Sequence, residues 1–599
     1  MAPVDRADPS YKLRHSTAHV MAQAVKEMFP EAKLAWGPPH DRFANGFYYD
    51  FDLSRPLTPQ DLPEIERRMR RIIQDDHPFE YRVLSVEEAR ELFEDQPYKL
   101  ETVDDLAEGK DEYGEARPGG TVISTYKQDS FEDLCLGPHL EHTGQIPLDG
   151  FKLLDVSGAY WRGSEKNKML QRVYGTVWPS KEDLEHYLWQ REEEEKRDHR
   201  RLGSVLDLFS IEPEVGSGLA LFHPKGALVR TLMEDYWRER HRTGGYDFVA
   251  TPHIGRSTLW ETSGHLKWYR EGMYSAIEIE DEHYYLKPMN CPFHMLIFKS
   301  RLRSYRDLPM RFAELGTVYR YEPSGTLRGL LRVRGFTQDD AHLFCSPDQM
   351  EAEIGRVLDF CLSVLAAYGF TTPQIELSVR DPQAPEKYAG SDADWEMAES
   401  TLALALDARG LAHERMEGEA VFYGPKIDIG ILDALGRRWQ ASTIQFDFNL
   451  PERFDLTYVG VDNQLRRPYM VHRALYGSIE RFLALLIEHY SGALPVWLAP
   501  TQAMIIPISD GNLEYARSVG ERLGLAGFRA EVDERAGRMN AKIRDAQLQK
   551  IPYMLVVGNK EEQANGVSVR LRTNEDRGLT DLPGFIDHLS RVVEAKSGL

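Results

Sequence analysis

The sequence predicts an α+β protein of several domains, and three observations carry that reading. Short apolar runs separated by turn residues fill the middle third (MRFAELGTVYRYE, LLRVRGFTQDDAHLFC, PKIDIGIL, WQASTIQFDF), and such short connections suit antiparallel pairing. Beyond GALPVWLAPTQ (492–502), the strands AMIIPI, FRAEV and YMLVV alternate with the helical stretches NLEYARSVGERLGLAG and RMNAKIRDAQLQK. That alternation predicts a parallel sheet with helices on its faces. Finally, 599 residues hold three or four domains at roughly 150 residues each.

The totals narrow the class. With 42% hydrophobic, 28% charged and 11% aromatic residues, the composition is globular rather than disordered or fibrous. No apolar run approaches the ~18 residues a bilayer span needs, and the start MAPVDRADPSYKLRHS has no signal-peptide core, so a cytoplasmic protein without a membrane is expected. Cys135, Cys291, Cys345 and Cys361 are too few for a disulfide framework, so any conspicuous cysteine is a ligand or nucleophile candidate. The net charge of -22 argues against a general nucleic-acid coat, although the last hundred residues are close to neutral.

Taken in order, the first candidate site is built from two pairs of residues, each four apart. His15 and His19 in RHSTAHVMAQAV lie on one helix face, but Ser16 stands where the zinc-protease signature needs glutamate. FEDLCLGPHLEHTG adds Cys135 and His139, again four apart. Either pair alone reads as structural; two pairs in one segment point to a shared site. WQREEEEKRDHRRLG (189–203), with mixed charges and no proline, predicts a solvated linking helix. EPSGTLRG (322–329) predicts a loop between two strands. Arginines gather around it, with Arg320 expected on one strand, Arg328 in the loop, and Arg332 and Arg334 on the other strand; planar forks of this kind grip phosphate oxygens in pairs, while solvent-facing arginines on exposed strands remain the alternative. In RVRGFTQDDAHLFC (332–345), alternation puts Gln338, Asp340 and His342 on one face, and Thr337, Asp339, Ala341 and Leu343 on the other. Later, HRALYGSIERFLALLIEHY predicts a helix, with Gly477 and Ser478 leaving space beneath Arg481.

Residues 311–342 resemble the second signature motif of class II aminoacyl-tRNA synthetases. LKPMNCPFH and, as third motif, MVHRALYGSIERF are similar to the threonyl branch of that family, and LFHPKGALVRTLMEDYW leading to VATPHI would be the first motif, which helps build a homodimer. The resemblance implies an editing domain over 1–180 (threonyl/alanyl type, α+β), a linker helix over 181–202, a class II antiparallel-sheet catalytic domain over 203–497, six-stranded in this class, and an α/β anticodon-binding domain over 498–599. It implies an enzyme that activates L-threonine with ATP, loads it on tRNA(Thr) and hydrolyses mischarged seryl-tRNA.

Carried over by position, the resemblance gives Arg320 the ATP α-phosphate, Glu322 the adenine amino group, Phe336 the adenine face, and Arg332 with Arg481 the terminal phosphate, with Mg²⁺ on the nucleotide. It places Zn²⁺ on Cys291, His342 and His472, a set of three protein ligands that leaves a position for substrate. Asp340 would accept from the threonine hydroxyl, Gln338, Tyr423 and Lys426 would help hold the amino acid, and His265 would sit near tRNA transfer. In the N-terminal segment it implies that His15, His19, Cys135 and His139 line an editing pocket with Lys99 and Asp133 as helpers; this set either holds zinc or orients a water without it. Glu561 and Arg570 would read anticodon bases, with Arg535, Lys542 and Arg544 on the RNA backbone. Family members commonly carry a small extra domain before the editing segment; here about ten residues precede it. Rival readings are an RNA-binding paralogue without catalysis, a metal-dependent hydrolase centred on the N-terminal His/Cys set, and a class II synthetase for another amino acid.

Overall fold

The computed structural model describes residues 6–110, 122–596 and 598. The chain divides into two compact units, Met1–Glu192 and Glu193–Leu599, and the division falls inside the predicted linking helix. That segment forms two helices rather than one, Lys181–Arg197 and His199–Val205, because Asp198 leaves helical geometry and caps the second by accepting from the Arg200 amide.

In the first unit, helix Tyr11–Met28 and helix Leu62–Gln74 pack on one face of an antiparallel sheet ordered Lys33–Leu34, Gly46–Asp52, Met169–Val177, Phe151–Tyr160. Val20, Met21, Ala24 and Val25 meet Phe47, Phe51 and Val173 in this core. A second sheet, Glu80–Val83, Ser124–Gln128 and Phe131–Leu134, ends in the loop carrying Cys135 and His139.

The second unit is organised by an eight-stranded sheet in the order Asp247–Phe248, Met310–Tyr319, Gly335–Cys345, Tyr469–Ala474, Arg438–Asp447, Lys426–Leu432, Gln374–Val379, His413–Glu417. The six central strands pair antiparallel, as the class implies; two short edge strands are added parallel, so the sheet exceeds the expected six. One face of Gly335–Cys345 is core: Ala341, Leu343 and Cys345 pack among Val357, Leu358 and Cys361 of helix Met350–Ala367. Asp339 shares that face, and its carboxylate accepts the Leu475 and Tyr476 amides at 3.0 Å.

Two sequence expectations need correction here. Arg332 and Arg334 precede the strand, which starts at Gly335, and Arg320 follows its partner strand; all three therefore sit on the connection, held by the Arg320 amide donating to the Arg334 carbonyl at 2.9 Å. The segment 472–474 is strand rather than helix. The helix begins at Ile479, after Gly477 turns the chain with φ +76° and Ser478 accepts the Arg481 amide as N-cap.

The last hundred residues form a mixed sheet, not a wholly parallel one. Ala530–Val532, Ala503–Pro507 and Tyr553–Val557 run parallel, whereas Gly566–Leu571 and Asp576–Asp581 continue antiparallel. The change follows from connection length: a five-residue helix, Asn559–Gln563, and a tight turn are too short for crossovers.

Candidate active sites

Register builds the central site. Gly335–Cys345 pairs with Tyr469–Ala474 so that His342 faces His472, and Arg438–Asp447 places Gln445 beside His472 on the far side. Cys291 comes to the same place at the start of helix Cys291–Lys299. Ligand atoms of Cys291, His342 and His472 all lie within 4.8 Å of one another. His342 Nε2 is 3.0 Å from His472 Nδ1, and His472 Nε2 is held 2.8 Å from the Asp447 carboxylate. His342 Nδ1 meets His294 Nδ1 at 2.7 Å, and His294 Nε2 reaches Glu314 at 3.1 Å. Outer partners of this kind aim the inner ring nitrogens at one point. Burial holds the His342 imidazole neutral, the form a metal needs, and pushes the Cys291 thiol well up. One sulfur and two ring nitrogens suit zinc with a position left open.

The polar triplet read from the strand is gathered here. Asp340 accepts from Asn290 at 2.8 Å, and burial raises its pKa against that hydrogen bond. Gln338 accepts weakly from Arg320 at 3.5 Å; Arg320 also donates to the Pro288 carbonyl and lies 5.2 Å above the Phe336 ring. Tyr423 donates to Gln445 at 2.7 Å with its ring 5.5 Å from that of His472, and Lys426 is ion-paired with Asp428 at 2.5 Å. Arg332 pairs with Glu322 at 2.8 Å, so these two side chains satisfy each other rather than standing apart. Arg481 is different: desolvation alone pulls its pKa down, with no carboxylate opposing it among the described residues. A half-buried guanidinium without a counter-ion is a ready anion site. His265 bonds Ser263 and the Met289 sulfur, and burial lowers its pKa to about 4.

The second site lies wholly in the first unit. His15, His19, Cys135 and His139 offer ligand atoms within 4.8 Å of one another. Cys135 Sγ is 3.4 Å from His15 Nε2 and 3.3 Å from His139 Nε2, and the His15 and His139 rings stack at 4.1 Å. Beside them Lys99 Nζ lies 2.6 Å from Asp133, and Tyr49 donates to the same carboxylate at 2.5 Å. A cavity of about 110 Å³ opens onto His15, His19, Lys99, Asp133 and Cys135. Tyr49 was not singled out from the sequence, although it stands in NGFYYDFDL; Asn290, His294 and Asp447 were missed likewise.

Burial lowers His15 and His19 to about 3 each and raises Cys135 to about 12. A histidine whose folded pKa lies below its unfolded value contributes stability that is lost as pH falls below about 6.5, since only the unfolded chain then takes up protons. Between pH 7.5 and 5.5 the two histidines together cost the first unit on the order of 2–3 kcal/mol. Urea unfolding at both pH values checks this, and His19→Gln should reduce the difference.

In the C-terminal domain the expected RNA readers are partly engaged. Glu561 is buried, accepting Gly558 N at 2.9 Å and Ser568 Oγ at 2.7 Å. Arg570 pairs with Asp576, and Arg535 with Asp533 and Asp545. Lys542 is a correction: it is buried with its ammonium on the Asp533 carbonyl, so it is not a surface contact, while Arg544 is exposed.

An antiparallel sheet with arginines on its first long hairpin, backed by a helix carrying Arg481, defines a class II aminoacyl-tRNA synthetase core. Family models agree: residues 274–490 match the tRNA synthetase class II core domain (G, H, P, S and T), 502–591 the anticodon binding domain, and 123–174 the threonyl and alanyl tRNA synthetase second additional domain. The chain belongs to the threonine–tRNA ligase family. It is 50% identical over 572 residues to the threonine–tRNA ligase of Borreliella afzelii, covering 96% of this chain and 95% of that one. It is 52% identical over 588 residues to that of Acidobacterium capsulatum, covering 98% and 84%. Among solved structures, the RNA binding domain of threonyl-tRNA synthetase from Cryptosporidium parvum matches with TM-score 0.62 and 42% identity, covering 66% of this chain and 98% of that one.

Proposed function

We propose that the protein activates L-threonine with ATP, transfers it to tRNA(Thr), and hydrolyses mischarged seryl-tRNA(Thr) in its N-terminal unit. The convergence of Cys291, His342 and His472 beside Asp340 is the observation that carries this reading. Threonine and valine are nearly isosteric, and an apolar pocket separates such pairs only about a hundredfold. Zinc held by Cys291, His342 and His472 would supply an electrophile for the substrate's amine and hydroxyl, which valine cannot fill. Asp340 accepts a hydrogen bond from the substrate hydroxyl, and Gln338, Tyr423 and Lys426 hold the amino acid. The threonine carboxylate attacks the α-phosphate, pyrophosphate leaves, and Arg320 stabilises the charge that develops on the phosphoryl oxygens. Arg481, and Arg332 once released from Glu322, take the terminal phosphate; Phe336 and Glu322 take the adenine, with Mg²⁺ on the nucleotide. His265 lies by the acyl-transfer position.

Serine keeps the hydroxyl and is smaller, so a second site is required. We assign hydrolysis of the smaller aminoacyl group to the cavity lined by His15, His19 and Cys135, where Asp133 with Lys99 would orient water. No helix among the described residues is long and apolar enough to cross a membrane. A cytoplasmic homodimer, built through the first motif, is part of the proposal, as are the anticodon contacts of Glu561 and Arg570 and the domain limits 1–180, 181–202, 203–497 and 498–599.

Cys291→Ser tests the reading. The variant should lose bound zinc and threonine-dependent ATP–pyrophosphate exchange while still hydrolysing seryl-tRNA. Retained exchange without metal would overturn the central site; retained hydrolysis with no exchange in the wild type would favour the hydrolase rival.

A further inference from the structure

We infer that Asn290 is a positioning residue for amino-acid selection: it locks the Asp340 carboxylate so that one oxygen is presented to the substrate's hydroxyl. The inference rests on the functional reading above and adds a residue to it. Asn290 precedes helix Cys291–Lys299 and is fully buried. Its amide Nδ2 donates to Asp340 Oδ2 at 2.8 Å and more weakly to the Gly316 carbonyl at 3.4 Å. The orientation of the amide is dictated by its partner, because an ionised carboxylate accepts only, and the opposite flip would set two acceptors face to face.

Two further features single out this amide. Gly316 lies opposite Gln338 on the paired strand, and a Cβ there would fall 2.4 Å from both Nδ2 and Oδ1 of Asn290. The backbone at 316 is ordinary extended strand, so the glycine is explained by the space Asn290 occupies and not by φ. In addition, Asn290 Oδ1 is buried without a hydrogen-bond partner among the described residues. A buried unpaired acceptor is costly, and its retention argues that the amide serves Asp340 rather than a packing network of its own.

A carboxylate on a strand can swing about its side-chain torsions; a charge-assisted hydrogen bond to one oxygen removes that freedom. With Oδ2 taken, Oδ1 is the acceptor left for a ligand. A substrate with a side-chain hydroxyl then finds a prepaid acceptor, whereas an isostere without one leaves a desolvated oxygen unpaired, which is the source of strong rejection. Holding Asp340 therefore sharpens discrimination of threonine from valine and leaves ATP binding alone.

Asn290→Ala should raise the KM for threonine about tenfold to a hundredfold and lower the threonine/valine ratio by a similar factor, with the KM for ATP unchanged. Gly316→Ala, which keeps Asn290 and displaces it, should shift the same two quantities in the same direction. Bound zinc and thermal unfolding are measured alongside; where Asn290→Ala proves poorly folded, threonine titration calorimetry on Gly316→Ala decides. Unchanged threonine KM and threonine/valine ratio in a folded variant would overturn the inference, as would parallel losses for threonine and ATP. If the wild-type protein shows no threonine-dependent exchange, the functional reading fails instead, and the two failures are distinct.

Discussion

Arg320→Ala lowers threonine-dependent ATP–pyrophosphate exchange about a thousandfold and leaves the fold standing. Removing one neutral donor from a site of charge development costs a hundredfold to a thousandfold, and a guanidinium is a stronger donor than that. The side chain is already committed in direction: it donates to the Pro288 carbonyl, lies above the Phe336 ring, and touches Gln338. No ion pair joins it among the described residues, although its charge favours the buried Asp340 carboxylate, so the loss of stability should be modest. Arg320→Lys should recover only a small part of the rate, since a point charge cannot reproduce the planar fork. Arg332→Ala provides the contrast. That side chain is 54% exposed and tied to Glu322, so its deletion should act mainly on the KM for ATP and by a smaller factor. Equal losses for Arg320→Ala and Arg332→Ala would show that the two arginines share one role, contrary to the geometry.

Much of this site is legible in the sequence, for a local reason. A strand alternates its side chains, so Gln338, Asp340 and His342 had to share a face, and that face is where Cys291 and His472 arrive. Helical spacing likewise put His15 and His19 together on Tyr11–Met28. Their long-range partners were another matter: that Cys291 reaches His342 was implied by family resemblance, since spacing carries no information about residues so far apart in the chain. Nor does alternation say where a strand begins, which is why Arg332 and Arg334 fell on the connection. The outer partners were invisible for the same physical cause. Tyr49, Asn290, His294 and Asp447 matter through which buried atom they touch, and a sequence shows only that a polar residue is present. Glu561 illustrates the converse: a carboxylate that the resemblance assigns to anticodon reading is buried as the cap of a short helix.

The largest expected loss of stability comes from Lys99→Met. Lys99 and Asp133 are 5% and 2% exposed, and the ammonium lies 2.6 Å from Oδ1, off the axis of a hydrogen bond, so the contact is chiefly ionic. Removing one partner of a buried pair leaves an uncompensated charge and costs about 3–5 kcal/mol. Among the described residues, the Tyr49 hydroxyl and His19 at 3.9 Å would remain to Asp133. The loss should appear as an earlier unfolding transition of the first unit, with exchange activity in the second unit retained below that transition. Replacing both partners, Lys99→Met with Asp133→Leu, should restore much of the stability, because two apolar groups need no counter-ion, less the cost of the buried Tyr49 hydroxyl, which loses its acceptor. Hydrolysis of seryl-tRNA should stay lost in the double variant. That divergence separates structure from chemistry: a pair kept only for packing would recover both together, whereas a pair kept to orient water in the cavity recovers the fold alone.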